Sequence, residues 1–312
     1  MRKLSCVRAM LFAPILAVLA AQASAEPPSS YRYLGYGRLI SNDLFGDRQD
    51  RWRTASFVSS RLFGTEWTGQ PPARLGQLLE FRLGAEIIAP RYINAPAWAI
   101  DRPYATSESL GLHSHARRGG VDIAAGLNAV ITGPQTGLER VQRAAHEAAG
   151  IAPASAAVKA SQIGNGFYGQ LVLEAGRPIA LGPQAELRPF VEAQAGVETL
   201  VRAGVDLSFG RLGGAGELLI RDGVTGQRYR TLGQQGKSGL GFVLGGDIAH
   251  VEDSIYLPGA LLRQDRTRLR AGLHFQNKSG YAGFYGVTWL GPEAQGQGEG
   301  QLVGSLRIKL NF

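Results

Sequence analysis

His146 and Gln142 stand four residues apart in GPQTGLERVQRAAHEAAG, residues 133–150, so on a helix they share one face, with Glu139 one turn earlier. The stretch reads as a helix of about three turns. It opens on Gly133-Pro134, carries Leu138, Val141, Ala145 and Ala149 at helical spacing, and stops at Gly150 with Pro153 close behind. An imidazole there serves either as a partly buried hydrogen-bonding group or as a proton acceptor near neutral pH. A second concentration of polar groups is SNDLFGDRQDRWRT, residues 41–54, with five acidic or amide groups, three arginines and a threonine within fourteen residues. If the flanking segments pair as a hairpin, Asn42 and Asp43 come close to Thr54. The alternative is a solvated loop whose charges mean little.

These groups must be positioned by strands. Along the chain, segments of about ten residues alternate apolar with small or polar residues, the period of strands with two different faces. The last segment shows it clearly: Leu302, Gly304, Leu306, Ile308, Leu310 and Phe312 face one way, and Val303, Ser305, Arg307, Lys309 and Asn311 the other. Twelve such segments are present, at 32–41, 53–63, 77–89, 106–116, 119–132, 164–176, 184–197, 198–210, 238–251, 267–276, 281–290 and 301–312. An even number of antiparallel strands closes into a barrel without edges, which is how a sheet satisfies its backbone in lipid. The fold expected is therefore all-β, a transmembrane antiparallel barrel of about 12 strands, with one short helix in a rim loop between the fifth and sixth. An edge strand of a secreted β-sandwich would alternate in the same way. Tyr281, Tyr285 and Trp289 share one face and are expected toward lipid. The Gly-rich stretch 211–237 reads as a protruding hairpin loop.

Residues 1–25 have the form of an export signal. Arg2, Lys3 and Arg8 precede an apolar run, and Ala23-Ser24-Ala25 forms a small-residue cleavage site. The barrel domain is then 26–312, with a charge near +5, the formal +8 less those three cations. The only cysteine, Cys6, lies in the signal, so thiol chemistry, disulfides and Cys metal sites are not expected in the rest. An exported, modestly basic protein points to an anionic surface such as lipopolysaccharide phosphates, and not to nucleic acid.

The combination of Asn42-Asp43, Asp50-Arg51 with Thr54, Asp101-Arg102-Pro103-Tyr104-Ala105, and Gly133-Pro134 followed by Gln142 and His146 resembles the outer-membrane lipid A 3'-O-deacylase family. The likeness runs from Ile40 to Phe312, and the helix motif is its most specific part. The resemblance implies a twelve-stranded barrel in the bacterial outer membrane that removes the 3'-linked acyloxyacyl chain of lipid A, as a monomer with calcium as cofactor. It implies that Asp43 is a hard-oxygen calcium ligand, that Asn42 orients the site, and that the backbone N–H at or beside Thr54 stabilises the oxyanion. His146 would take a proton from the attacking water, and calcium would polarise the ester carbonyl. Gln142 would contact substrate.

The chain also departs from the pattern. The family's Asp-Arg-x-Tyr-Thr-x-Gly has Arg53 before Thr54 here and Ser56 in place of the Gly. Six positions beyond His146, where a family member has an acidic residue, stands Ala152; Glu147 and Glu139 are either substitutes or solvated helix charges. Arg91 is either a stand-in for the family's phosphate-binding pair or an unspecific rim charge. The basic residues Arg51, Arg53, Arg117 and Arg118 are candidate holders of lipid A phosphates. His113 and His115 share a strand face, as a metal pair or as ordinary lumen residues, and His250 and His274 are single lumen or rim positions. A barrel of this family without catalysis, binding lipopolysaccharide or serving structure, and a passive pore are the other readings.

Overall fold

The computed structural model describes residues 30–233 and 237–309. The expected signal at 1–25 and the terminal Phe312 lie outside the described residues. Twelve long strands form the wall: β1 (Arg32–Asn42), β2 (Trp52–Gly64), β3 (Leu78–Ala89), β4 (Ala105–Arg118), β5 (Val121–Thr132), β6 (Gly166–Gly176), β8 (Ala185–Ala195), β9 (Glu198–Gly210), β12 (Gly239–Ser254), β13 (Asp265–Gln276), β14 (Ala282–Leu290) and β15 (Gln301–Lys309). Each pairs antiparallel with its neighbours, β6 with β8 (Leu171 opposite Ala195) and β15 with β1 (Leu306 opposite Ile40), so the ring is closed. β7 (Ile179–Gly182) resumes the course of β6 along β8 after Pro178, which has no N–H for the ladder.

The two-residue period sorts the side chains as expected. On β13, Arg266, Arg268, Arg270 and His274 are buried in the lumen, and Leu269, Leu273 and Phe275 face outward. Tyr281, Tyr285 and Trp289 are also exposed on the outer wall, in the lipid-facing band. The chain thus presents apolar surface outward and fills its interior with paired charges.

Residues 211–237 correct the expectation of a protruding loop. The hairpin of β10 (Leu218–Arg221) and β11 (Arg228–Leu232) folds back into the lumen as a plug. Arg221 meets Asp206 at 2.7 Å and Glu174 at 2.8 Å, and Tyr229 OH lies 2.7 Å from Ser60 Oγ. Gln227 Nε2 donates to the carbonyls of Ala271 and Val287 at 3.2 and 3.1 Å. The physical reason is that the lumen wall carries charges and open polar groups that need partners out of bulk water, and this hairpin supplies them. Gly37 on β1 makes the room: a Cβ there would meet Tyr229 Cδ2 at 2.9 Å and the Arg230 carbonyl at 3.0 Å.

One rim carries the connections 43–51, 90–104, 133–165, 196–197, 255–264 and 291–300. The longest of these holds the expected helix, α1 (Leu138–Ala149), followed by a single-turn α2 (Ala156–Ala160).

Candidate active site

Helix α1 is set between left-handed glycines, Gly137 (φ 72°) and Gly150 (φ 70°). It inverts the usual amphipathic rule. Gln142 and His146 are its buried residues, turned to the barrel, while Val141 is 62% exposed. Tyr104, the last residue before β4 and fully buried, donates its hydroxyl to Gln142 Oε1 at 2.7 Å. One turn on, His146 Nδ1 lies 3.0 Å from the Ala152 carbonyl. In the neutral tautomer with the proton on Nδ1 the ring donates to that carbonyl and carries its lone pair on Nε2. That Nε2 faces Asp50 Oδ2 at 3.4 Å.

Asp50 belongs to the 43–51 loop, whose backbone is strained. Arg48, Asp50 and Trp52 have φ of 62°, 49° and 53°, a left-handed conformation costing on the order of 1 kcal/mol for each such residue. Surrounding bonds hold it. Asn42 Oδ1 accepts from the Leu44 N–H and caps the short helical turn Asp43–Phe45. Arg48 N–H donates to the Asp43 carbonyl at 2.8 Å and Arg51 N–H to Asp43 Oδ2 at 2.7 Å. Asp47 exchanges hydrogen bonds with the Leu302 backbone, and Trp52 Nε1 donates to Asp101 at 2.9 Å. The β2–β3 register then shifts between Trp52 and Ala55, a bulge that brings both Arg53 and Thr54 to buried positions.

Asp43, Asp50 and Thr54 therefore converge. Thr54 Oγ1 lies 2.9 Å from Asp50 Oδ1 and 3.2 Å from Asp43 Oδ1, and its one proton serves one of them. Burial, with Asp50 and Asp47 nearby, pushes the Asp43 carboxyl up to about 7. Asp50 Oδ2 is buried without a hydrogen-bond partner. A cation beside these oxygens would relieve both conditions, and two carboxylates with a hydroxyl are donors of the kind calcium accepts. Among the described residues no group of three or more His, Cys, Asp and Glu is placed to hold a metal ion. The protein's donors fit calcium in kind, and backbone, water or substrate oxygens would complete the set.

Of the residues singled out in the sequence, Asp43 and Thr54 meet directly, and Asp50 joins them to His146. Gln142 lies one helical turn before His146 with its amide oxygen engaged by Tyr104, and Asn42 caps the turn that begins at Asp43. Arg91 sits at the rim, 2.9 Å from Glu299. Glu147 is exposed and Glu139 half-buried, and neither replaces the carboxylate absent at Ala152, whose carbonyl is taken by His146. The arginines expected to hold phosphates are otherwise employed. Arg51 pairs with Asp47 and Glu299, Arg53 is buried among Glu86, Glu198 and Glu293, and Arg117 pairs with Asp122 at the far end of β4, beside Arg118. Unpaired cations at these positions would have been costly inside the barrel, and the local acids claim them first. His113 (to Asn128) and His115 (to Glu80) are lumen residues, as is His274, while His250 lies exposed beside Asp265. Asp50, quoted in the sequence only as part of the Asp50-Arg51 motif and given no role there, is the residue the structure adds to the candidate site; its place four residues before Thr54 in the same polar loop was the available signal.

The profile of the family described as "Outer membrane protein LpxR" matches residues 7–312. Comparison with curated proteins gives no match. Among solved structures, "LpxR from Salmonella typhimurium" superposes with a TM-score of 0.69 at 17% identity, over 89% of this chain and all of that one. The β domain of the Bordetella autotransporter BrkA gives 0.43 at 11% identity, over 89% of this chain and 99% of that one. A match across nearly the whole sequence, on a closed twelve-stranded barrel whose rim helix faces the first loop, places this chain in the outer membrane protein LpxR family.

Proposed function

We propose that the protein is a lipid A 3'-O-deacylase that hydrolyses the ester of the 3'-linked acyloxyacyl chain from the outer leaflet. The observation that carries this reading is His146, fixed through Nδ1 by the Ala152 carbonyl with Nε2 turned to the Asp43–Asp50–Thr54 cluster. His146 Nε2 takes a proton from water as its oxygen adds to the ester carbonyl, and on collapse of the tetrahedral intermediate His146 returns that proton to the leaving sugar oxygen, releasing the acyloxyacyl acid and the sugar hydroxyl. The backbone N–H at or beside Thr54, on the bulge, is the oxyanion donor. Asn42 keeps the Asp43 turn in place. Calcium, when bound by Asp43 and Asp50, would supply positive charge for the oxyanion. Gln142 and Arg91 are the groups we assign to substrate, Arg91 for a headgroup phosphate.

Placement supports this substrate. The site lies at the rim of the longer connections, the outer face in such barrels. Leu44 and Phe45, which directly follow Asp43, are exposed, so acyl chains in the bilayer can reach the site from the side. All the named groups come from one chain, so a monomer suffices, and the segment 1–25 serves export. The plug argues against a pore. Ala152 favours a second reading, a barrel that binds lipopolysaccharide without cleaving it. Mass spectrometry of lipid A from a host expressing the protein, beside His146→Ala, decides between them. Loss of the 3'-acyloxyacyl mass only with intact His146 supports the esterase, with an expected activity drop of about 10²–10⁴-fold in the variant. Unchanged lipid A from a folded, membrane-inserted protein leaves the binding barrel.

A further inference from the structure

The departure at Arg53 leads beyond the reactive groups. Arg53 adjoins Thr54 and is buried, and its guanidinium meets three carboxylates from three other elements: Glu293 at 3.0 Å, Glu86 at 2.7 Å and Glu198 at 3.3 Å. Glu293, in the β14–β15 connection, also accepts from Arg102 at 3.3 Å and Arg266 at 3.5 Å. Burial alone would raise the Glu293 carboxyl, but these arginines outweigh it and hold it well below the usual carboxylate range. Arg102 is 1% exposed and lies two residues before Tyr104, whose hydroxyl holds Gln142, one helical turn before His146. Trp52, on the other side of Arg53, reaches the same segment through Asp101. A continuous set of bonds thus runs across the barrel mouth from the strand bearing Thr54 to the helix bearing His146.

We propose that Arg53, Glu293, Arg102 and Tyr104 form a positioning relay that sets the distance between Thr54 and His146. The helix needs such a device, because the face it turns to the barrel is polar and Val141 and Ala145 on its other side are exposed. Apolar burial at Leu138 alone leaves its other end to hydrogen bonds. The relay rests on the deacylase reading for its catalytic consequence, but its geometric content can be measured separately.

The experiment uses the chain's freedom from cysteine after Cys6. Spin labels at Gln49→Cys and Ala144→Cys, both exposed positions flanking the site, report the loop-to-helix distance in the full barrel by pulsed electron spin resonance. Kinetics on lipid A are measured in unlabelled protein. Glu293→Gln should broaden or shift the distance distribution and lower kcat by about 10–100-fold with KM little changed, since a displacement near 1 Å costs about 100-fold. Glu293→Asp should restore much of both. Tyr104→Phe, which removes one hydroxyl and no charge, keeps the test valid should Glu293→Gln not fold, and should act in the same direction. Asp247→Asn, at a still more buried carboxylate of the deeper lumen paired with Arg202, Arg268 and Arg270, should leave the distance unchanged. A distance unaltered by Glu293→Gln or Tyr104→Phe, or altered equally by Asp247→Asn, overturns the relay. Absence of acyl release by the unmodified protein refutes the deacylase reading instead, and the label distances still judge the relay.

Discussion

Replacing Asp43 by Asn should make the cation-free barrel more stable at pH 8. The folded protein raises this carboxyl from the usual 3.8 to about 7, because it is buried and faces Asp50 and Asp47. The native state therefore holds an extra proton between about pH 4 and 7. Stability falls as pH rises through that window and levels off above it. At about 1.4 kcal/mol per pH unit, the gap of about three units amounts to about 4 kcal/mol. Asn resembles the protonated carboxyl and can still accept the Arg51 N–H, so the variant should be more stable by up to that amount at pH 8 and no more stable at pH 3.5. Calcium should reverse the order, since mass action stabilises only the protein that binds it. Urea unfolding in detergent micelles, followed by tryptophan fluorescence with chelator and then with calcium at both pH values, measures all four cases. An Asp43→Asn variant equal to or weaker than the parent at pH 8 in chelator, or a difference independent of pH, would refute the argument for a strained carboxylate cluster.

Two further outcomes follow from the wall and the plug. Gly304 on β15 lies directly under the Phe45 carbonyl, where a Cβ has no space; Gly304→Ala should lift the Asp43–Phe45 turn, cost about 1–3 kcal/mol and reduce acyl release while the barrel still migrates as folded on gels. The parent protein should show no steady conductance in planar bilayers, and deletion of 217–232, the segment with β10 and β11, should open one; a conducting parent would contradict a sealed lumen.

The wall was legible because it obeys a local rule. A strand with lipid on one side and a polar lumen on the other must alternate, and twelve alternating segments appear where the twelve long strands lie. Helix α1 was readable from its glycines and its spacing, as was the face shared by Gln142 and His146; that this face turns inward was decided by Tyr104 and Asp50, which meet it from other segments. Asp43, Thr54 and His146 were reached through the family resemblance as much as through their chemistry. Asp50 was within the same loop, but its approach to His146 depends on three left-handed residues that no local preference announces.

What the sequence by itself determined is therefore whatever is set by neighbours along the chain: the strand period, the glycine-bounded helix and the polar loop. Only the tertiary structure decided that the hairpin 218–232 fills the lumen, that Arg51 and Arg53 are consumed by acids up to 248 positions away, and that a buried ion cluster ties β2 to the segment before β4. Ring closure causes this. It gathers groups far apart in sequence into a space with little water, where each charge must find its partner across the barrel.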